Sequence, residues 1–165
     1  MPISGDAYRQ IGRASAGAVS VVAAYTPDRS EIIALTVSSF VTLSFEPPLV
    51  MFAIQHNTAS YAPMVTSRSF GVSLLGAHQA DTARLFSSQA RARASTASFE
   101  LGPKLQVPLI PDSLARVECL TNEIFMSGDH AVVVGLVEGA QTRAGQPLLY
   151  FARQYGAFTP LAGDD

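Results

Sequence analysis

Apolar positions along this chain fall into short runs separated by turn residues. Val19, Val21, Val22 and Tyr25 read as a strand that stops at the turn Thr26-Pro27-Asp28, and Ile32 to Thr36 reads as the return strand of a hairpin. Val41 to Phe45 alternates apolar and polar, as a half-buried strand does. Pro47-Pro48 ends it, because neither proline can donate to a sheet ladder. Leu49 to Ile54 is apolar throughout and predicts a fully buried strand. Ser69 to Leu75 alternates again, with Phe70, Val72 and Leu74 in phase. Leu105 to Pro111 is extended and proline-punctuated. Leu114 to Ile124, Ala131 to Val137 and Leu148 to Tyr155 are further strands, the last rich in aromatics. Turns at Ser127-Gly128-Asp129-His130 and Ala144-Gly145-Gln146-Pro147 separate them.

Helical periodicity is confined to short stretches. Residues 5–14 predict a helix that Asp6 can cap, with Tyr8 and Ile11 on one face. Thr58 is a candidate N-cap for a turn running through Ala62 and Met64 to Val65, with Pro63 tolerated near its start. Gln79 to Ser87 has the clearest pattern. There Ala83, Leu85 and Phe86 face inward, and Asp81 and Arg84 lie at helical spacing. Residues 87–98 are small and polar and predict a surface loop; residues 160–165 predict a frayed tail. Roughly seven strands with antiparallel hairpins and no regular βαβ alternation predict a mainly β fold, a closed or split barrel with a few covering helices.

Composition narrows this. A chain of 165 residues predicts one domain, 1–165, and 48% hydrophobic content supplies a real core. Only 15% of residues are charged, which predicts apolar surface buried between subunits. A net charge of −2 offers nothing to a polyanion, so no nucleic-acid partner is expected. The lone Cys119 rules out an intrachain disulfide and points to a reducing compartment, the cytoplasm. Arg9 and Arg13 before the small-residue run Ala14 to Ala24 imitate a secretory signal. The run lacks Leu, Ile and Phe and carries Ser and Gly, so a buried strand is the better reading. It is also too short to span a membrane, and no membrane partner is expected.

Most catalytic patterns are missing. No glycine fingerprint follows a strand, and there is neither a Walker loop nor a Gly-x-Ser-x-Gly elbow. His56, His78 and His130 lie far apart in sequence without zinc-site spacing, so no metal is expected. Cys119 sits inside a predicted strand and reads as a small buried hydrophobe. A cofactor enzyme needs fewer catalytic side chains, because the cofactor carries the hard chemistry. Residues 34–60 suit that economy. Hydroxyls and main-chain N–H groups at Thr36, Val37, Ser38 and Ser39 can line the polar edge of a ring system. The polar loop from Gln55 through Asn57 and Thr58 to Ser60, at the start of a helical turn, can hold a phosphate. Each hydroxyl alone is ordinary at a strand end or an N-cap. Gathered around one apolar strand, they point to a flat, phosphorylated ligand.

The segment TVSSFVTLSFEPPLVMFAI (36–54) closely resembles the signature of the short-chain flavin reductase family, the reductase components of two-component flavin-dependent monooxygenases. Ile11-Gly-Arg-Ala-Ser-Ala-Gly-Ala-Val-Ser-Val-Val22 resembles that family's opening helix and strand. Phe70-Gly-Val-Ser-Leu-Leu75 with Gln79 and Ala83-Arg84-Leu85-Phe86 resembles its central strand and helix. Gly128-Asp129-His130 and Pro147-Leu-Leu-Tyr-Phe151 with Tyr155 resemble its C-terminal signature. The resemblance spans about residues 7–158. Ser73, Tyr61 and the stretch Ala152-Arg153-Gln154 depart from the family's usual residues.

The resemblance implies an antiparallel, Greek-key barrel of the FMN-binding split-barrel type. It implies a homodimer that reduces FMN or FAD with NADH or NADPH, the reduced flavin diffusing to a partner monooxygenase. On this basis Thr36, Ser38 and Ser39 would contact the isoalloxazine, largely through the main chain, and Thr58 and Ser60 would take the phosphate end. Gln79 and Arg84 would add flavin contacts. His130 would lie near the nicotinamide as the catalytic residue, donating to its carboxamide or balancing charge on reduced flavin, with Phe151 and Tyr155 bordering the pocket. A plainer reading of His130 is a histidine bonding the turn beside Asp129. A flavin carrier or sensor on the same barrel is the leading alternative function. An oxidase of pyridoxal-type substrates predicts a basic phosphate cluster, and lysines are few here.

Overall fold

The computed structural model describes residues 2–87 and 99–161. Beyond Ser87 the predicted 87–98 loop lies outside the described residues, as does the tail after residue 161. Helix α1 (Gly5–Ala14) is capped by Ser4 and not by Asp6: the Ser4 hydroxyl accepts the Ala7 N–H at 3.2 Å. Asp6 instead ion-pairs with Arg9 one turn on. No residue of α1 is buried, so its Tyr8 and Ile11 face stays exposed.

The strands follow as β1 (Gly17–Ala18), β2 (Ser20–Tyr25), β3 (Ile32–Val37), β4 (Val41–Ser44) and β5 (Leu49–Gln55). Helix α2 (Tyr61–Thr66), β6 (Ser69–Leu74), a 3-10 turn (Ala77–Gln79) and α3 (Ala80–Phe86) come next, so the predicted 79–87 helix is a 3-10 entry joined to a short α-helix. Then come β7 (Glu100–Leu101), β8 (Pro108–Leu109), the long β9 (Ala115–Ser127) and β10 (His130–Thr142), β11 (Leu148–Phe151) and β12 (Gln154–Ala157). Seven strands form one antiparallel sheet in the order β3-β2-β6-β9-β10-β5-β4. A second, three-stranded sheet has the order β1-β11-β12.

No ladder joins the edge strands β3 and β4, and this leaves the barrel split. One side chain extends the β4 side of the seam along β5. Val41 of β4 is paired with Met51 of β5, so the next pair toward the open end falls on Ser39 and Ala53. There β4 has not yet begun. The Ser39 hydroxyl accepts the Ala53 N–H at 3.0 Å and donates to the Ala53 carbonyl at 3.3 Å. It thereby occupies the two main-chain groups that a strand would have paired.

Strand β2 explains why the run from Val19 is apolar without a break. Val22 and Ala24 face one core with Phe52, Phe70 and Val133; Val21 and Ala23 face a second core with Leu75, Ala83 and Phe86 beneath α3. A strand covered on both faces needs apolar residues at every position. The predicted buried strand β5 differs: Val50, Phe52 and Ile54 are buried, whereas Leu49, Met51 and Ala53 are partly exposed. The prediction for β4 also needs correction, because Val41 and Leu43 are exposed and Phe45, just beyond it, is 97% exposed. The single last strand predicted from Leu148 to Tyr155 is a hairpin. Ala152 (φ 49°) and Arg153 (φ 67°) make its two-residue turn, both in the left-handed region that such hairpin turns require. Cys119 is buried between Phe70 and Val137 in the ladders, and burial, with the negative Glu118 beside it, pushes its thiol up to about 12. Among the described residues, no helix is long and apolar enough to cross a membrane.

Candidate active site

Strand β3 is an edge strand, and its C-terminal end faces α3 and the β11–β12 hairpin across a cavity of about 340 Å³. Thr36, Val37 and Ser38 form one wall, Arg84 and Ser87 a second, and Tyr150, Arg153 and Tyr155 a third, with Val19 also lining the space. Pairing of β3 with β2 ends at Val37, so Ser38 stands outside the ladder. The Thr36 hydroxyl donates to the Ala83 carbonyl at 2.8 Å, which ties β3 to α3 and leaves that hydroxyl committed. Ser38 is packed against Gly17 of β1: a Cβ at Gly17 would sit 2.9 Å from the Ser38 carbonyl oxygen.

The opposite wall is aromatic and cationic. Tyr150 and Tyr155 are register partners whose rings lie 5.3 Å apart at 56°. The Arg84 guanidinium lies over the Tyr155 ring at 5.3 Å and donates to Asp81 at 2.7 Å. Partial burial raises the Tyr155 hydroxyl above its ordinary range, with Tyr150 adding to the effect and Arg84 and Ser87 opposing it. Tyr155 therefore stays a neutral hydrogen-bond donor at working pH.

A second cluster forms where β5 ends beside the β9–β10 turn. His130 is paired with Gln55 on one side and Ser127 on the other. Its Nδ1 lies 2.7 Å from the Asp129 carboxylate. That bond is the main reason the Asp129 carboxyl sits below its ordinary range, with a smaller contribution from the Gln55 side chain. The His56 main-chain N–H donates to the Asp129 main-chain carbonyl at 3.0 Å, and the His56 ring packs on Tyr61 at 4.9 Å. The His56 Nε2 is buried with no hydrogen-bond partner. Two histidines that are distant in sequence thus share one end of the barrel. Thr58 is not the helix cap: its hydroxyl donates back to the Gln55 carbonyl at 2.9 Å, and Ser60, itself buried, holds the N-cap position of α2. Asn57 is exposed in the turn between them.

The residues predicted for the site therefore fall into two groups. Thr36, Val37, Ser38, Arg84 and Tyr155 meet in the cavity; Gln55, Asn57, Thr58, Ser60 and His130 gather at the end of β5. Ser39 links them, because it bonds to Ala53, which lies two residues, roughly 7 Å, from Gln55 along the strand. Gln79 belongs to neither. Its carbonyl oxygen accepts the Gly76 N–H at 3.0 Å and its amide donates to the Pro111 carbonyl at 2.8 Å, which uses the side chain to hold the 3-10 turn. Gln79 faces a different cavity, with Thr82 and Ile110. Phe151 is half exposed at the end of β11 and does not line the cavity. Sequence reasoning missed Tyr150 and Arg153. Tyr150 was legible only as one aromatic among several, and Arg153 sits in a turn that carries no glycine, asparagine or aspartate to mark it.

The fold is thus an antiparallel split barrel whose open edge carries a cavity of main-chain, hydroxyl, aromatic and cationic groups. Residues 12–159 match the family described as flavin reductase like domain, and the chain belongs to that family. It is 33% identical over 141 residues to the FMN reductase (NADH) SmoA of Agrobacterium fabrum, covering 86% of this chain and 79% of that protein. It is 30% identical over 151 residues to the reductase component of 4-hydroxyphenylacetate 3-monooxygenase of Thermus thermophilus, covering 91% and 94%. Among solved structures, the NADH:FAD oxidoreductase SgcE6 of Streptomyces globisporus, in complex with NAD and FAD fragments, superposes with a TM-score of 0.86. It is 26% identical, over 98% of this chain and 99% of that one.

Proposed function

We propose that this chain, as one domain, is an NAD(P)H:flavin oxidoreductase that reduces FMN or FAD and supplies the reduced flavin to a partner monooxygenase. The observation that carries the reading is the cavity at the open barrel edge in a chain of this family. Its groups fit a flavin. The end of β3 and Ser38 offer main-chain groups to the polar rim of a ring, Tyr150 and Tyr155 offer aromatic faces, and Arg84 and Arg153 offer cationic hydrogen-bond donors. The volume, about 340 Å³, is that of a small-ligand pocket.

A bound flavin supplies the hydride acceptor, its N5 atom. The chain's own groups bind and orient. Main-chain groups from Thr36 to Ser38 hold the ring edge, with Arg84 and Tyr155 across from them, and Ser39 fixes that segment to β5 through Ala53. Asn57, Thr58 and Ser60, with Gln55, form the phosphate end, and His130 serves the nicotinamide. The relative SmoA is named for NADH, which makes NADH the first nucleotide to test. The exposed apolar side chains of β4 and Phe45 support a homodimer, and the reduced Cys119 supports a cytoplasmic setting.

The experiment is spectrophotometric. Purified protein mixed with FMN or FAD and NADH in air should remove absorbance at 340 nm far faster than a protein-free control. Loss at the control rate, with NADPH tried as well, refutes the reductase; flavin binding without turnover would make the chain a carrier.

A further inference from the structure

The β2–β3 turn meets the junction of α2 and β6 across a cavity of about 490 Å³, which shares no residue with the one at the end of β3. The turn contributes Tyr25, Thr26 and Arg29, and the junction contributes Thr66, Ser67 and Arg68. The lining holds two cations and no carboxylate. Neither arginine forms an ion pair among the described residues. The acid nearest in sequence, Asp28, lies outside the lining. It accepts the Thr26 and Ser30 hydroxyls and the Ser30 N–H within its own turn.

Arg29 is held in place without a ligand. Its main-chain N–H donates to the Thr26 carbonyl at 2.7 Å, and the Thr26 N–H donates to the Glu31 carbonyl at 2.9 Å, which closes the turn. The guanidinium lies 4.3 Å from the centre of the Tyr25 ring, and its Nη2 donates to the Gln106 main-chain carbonyl at 3.3 Å. Gln106 is anchored in turn. The buried Glu118 carboxylate accepts the main-chain N–H of Leu105 at 2.6 Å and of Lys104 at 3.1 Å, and the Gln106 N–H donates to the Gly102 carbonyl at 3.1 Å. The hydroxyl protons of Thr26, Thr66 and Ser67 are already committed, to Asp28, the Ala62 carbonyl and the Ser69 carbonyl. The guanidinium groups are therefore the principal donors left for a ligand, and the three hydroxyl oxygens keep lone pairs to accept with.

We propose that this cavity is a second ligand site, separate from the flavin site, for a phosphate monoester of a polyol, gripped by Arg29 and Arg68. A guanidinium matches two oxygens of one phosphate at once. Two cations without carboxylate partners suit a group that carries about −1.5 to −2 charge at pH 7 better than they suit a single carboxylate. The Thr and Ser oxygens accept from the hydroxyls of the ester's body. Because Arg29 is fixed beforehand, little of its side-chain freedom is lost on binding. The site does not depend on the reductase reading.

Proton–nitrogen correlation NMR of the full chain, titrated with glycerol 3-phosphate at constant ionic strength, tests this. Shifts should saturate with a Kd of about 1 mM or tighter and centre on residues 25–29 and 66–69. Arg29→Gln and Arg68→Gln should each weaken binding about tenfold or more. Both side chains are exposed, so thermal melts of these variants should stay near wild type. Arg29→Lys, which keeps the charge without the fork, should weaken binding less than Arg29→Gln. Acetate should bind about tenfold more weakly than the ester. Shifts that do not saturate, that centre on Asn57 to Ser60 instead, or that keep the wild-type Kd in both Gln variants overturn the site. Acetate binding as tightly as the ester overturns the phosphate class.

Discussion

Gly17→Ala tests the cavity through a residue that lies outside it. Gly17 is paired with Tyr150 of β11, and its Cα faces Ser38. A Cβ there would lie 2.9 Å from the Ser38 carbonyl oxygen and 3.2 Å from the Ser38 Cβ. Comfortable separations are about 3.5 Å or more, so something must move by roughly half an ångström. Neither obstructing atom can rotate away, because one is main chain and the other is attached directly to it. Either Ser38 is pushed or β1 lifts and carries Tyr150 with it, and both line the cavity. Misplacing one main-chain hydrogen bond to a ligand costs about 0.5–1.5 kcal/mol, and disturbing an aromatic face costs a similar amount. Together these predict a loss of about 1–3 kcal/mol in flavin binding, roughly five- to 150-fold in Kd. Gly12→Ala makes the same chemical change in exposed α1, where an added Cβ meets nothing within 4 Å. It should leave Kd alone and stabilise the helix by at most about 1 kcal/mol. Flavin fluorescence titration with a thermal melt on both variants reads the outcome. A Gly17→Ala Kd within twofold of wild type would refute the claim that the contact between β1 and Ser38 shapes the site.

Two further outcomes concern stability and assembly. Unfolded, the Cys119 thiol titrates near 9.0; folded, burial raises it to about 12. The unfolded chain then loses this proton first, so the contribution is intact below pH 9.0 and is lost as pH rises toward 12, by about 1.4 kcal/mol per pH unit. Urea unfolding of wild type and Cys119→Ala from pH 8 upward should therefore converge in stability, and curves that stay parallel would contradict the burial argument. Phe45 is 97% exposed beyond an edge strand whose Val41 and Leu43 are also exposed. Sedimentation equilibrium should give twice 17.5 kDa for the wild type and 17.5 kDa for Phe45→Glu; a dimer that survives the substitution would place the interface elsewhere.

The strands were legible because their signals are local. The unbroken run in β2 follows from both its faces being covered, whereas β6 alternates although Gly71 and Ser73 are buried as fully as Phe70 and Val72: the second face is closely covered at Pro108, where only glycine fits, and the Ser73 hydroxyl accepts the Ile110 N–H. The same signal misled at β5, where Leu49, Met51 and Ala53 are apolar yet partly exposed, because side-chain composition does not say whether a second layer covers a face. The β11–β12 turn was hidden because Ala152 and Arg153 adopt left-handed backbone angles without the residues that favour them. The hydroxyl cluster Thr36 to Ser39 was visible as a ligand signal, but its division of labour was not. Thr36 bonds α3 and Ser39 bonds β5, which leaves the main chain at Val37 and Ser38 to face the cavity. Gln79 likewise looked available until folding placed Gly76 and Pro111 within its reach. Local pattern is set by each residue's own neighbours in the chain. Which residues meet across the barrel, Gly17 with Tyr150 or His130 with Gln55, is set by ladders between distant strands, and their register emerges only when the whole sheet assembles.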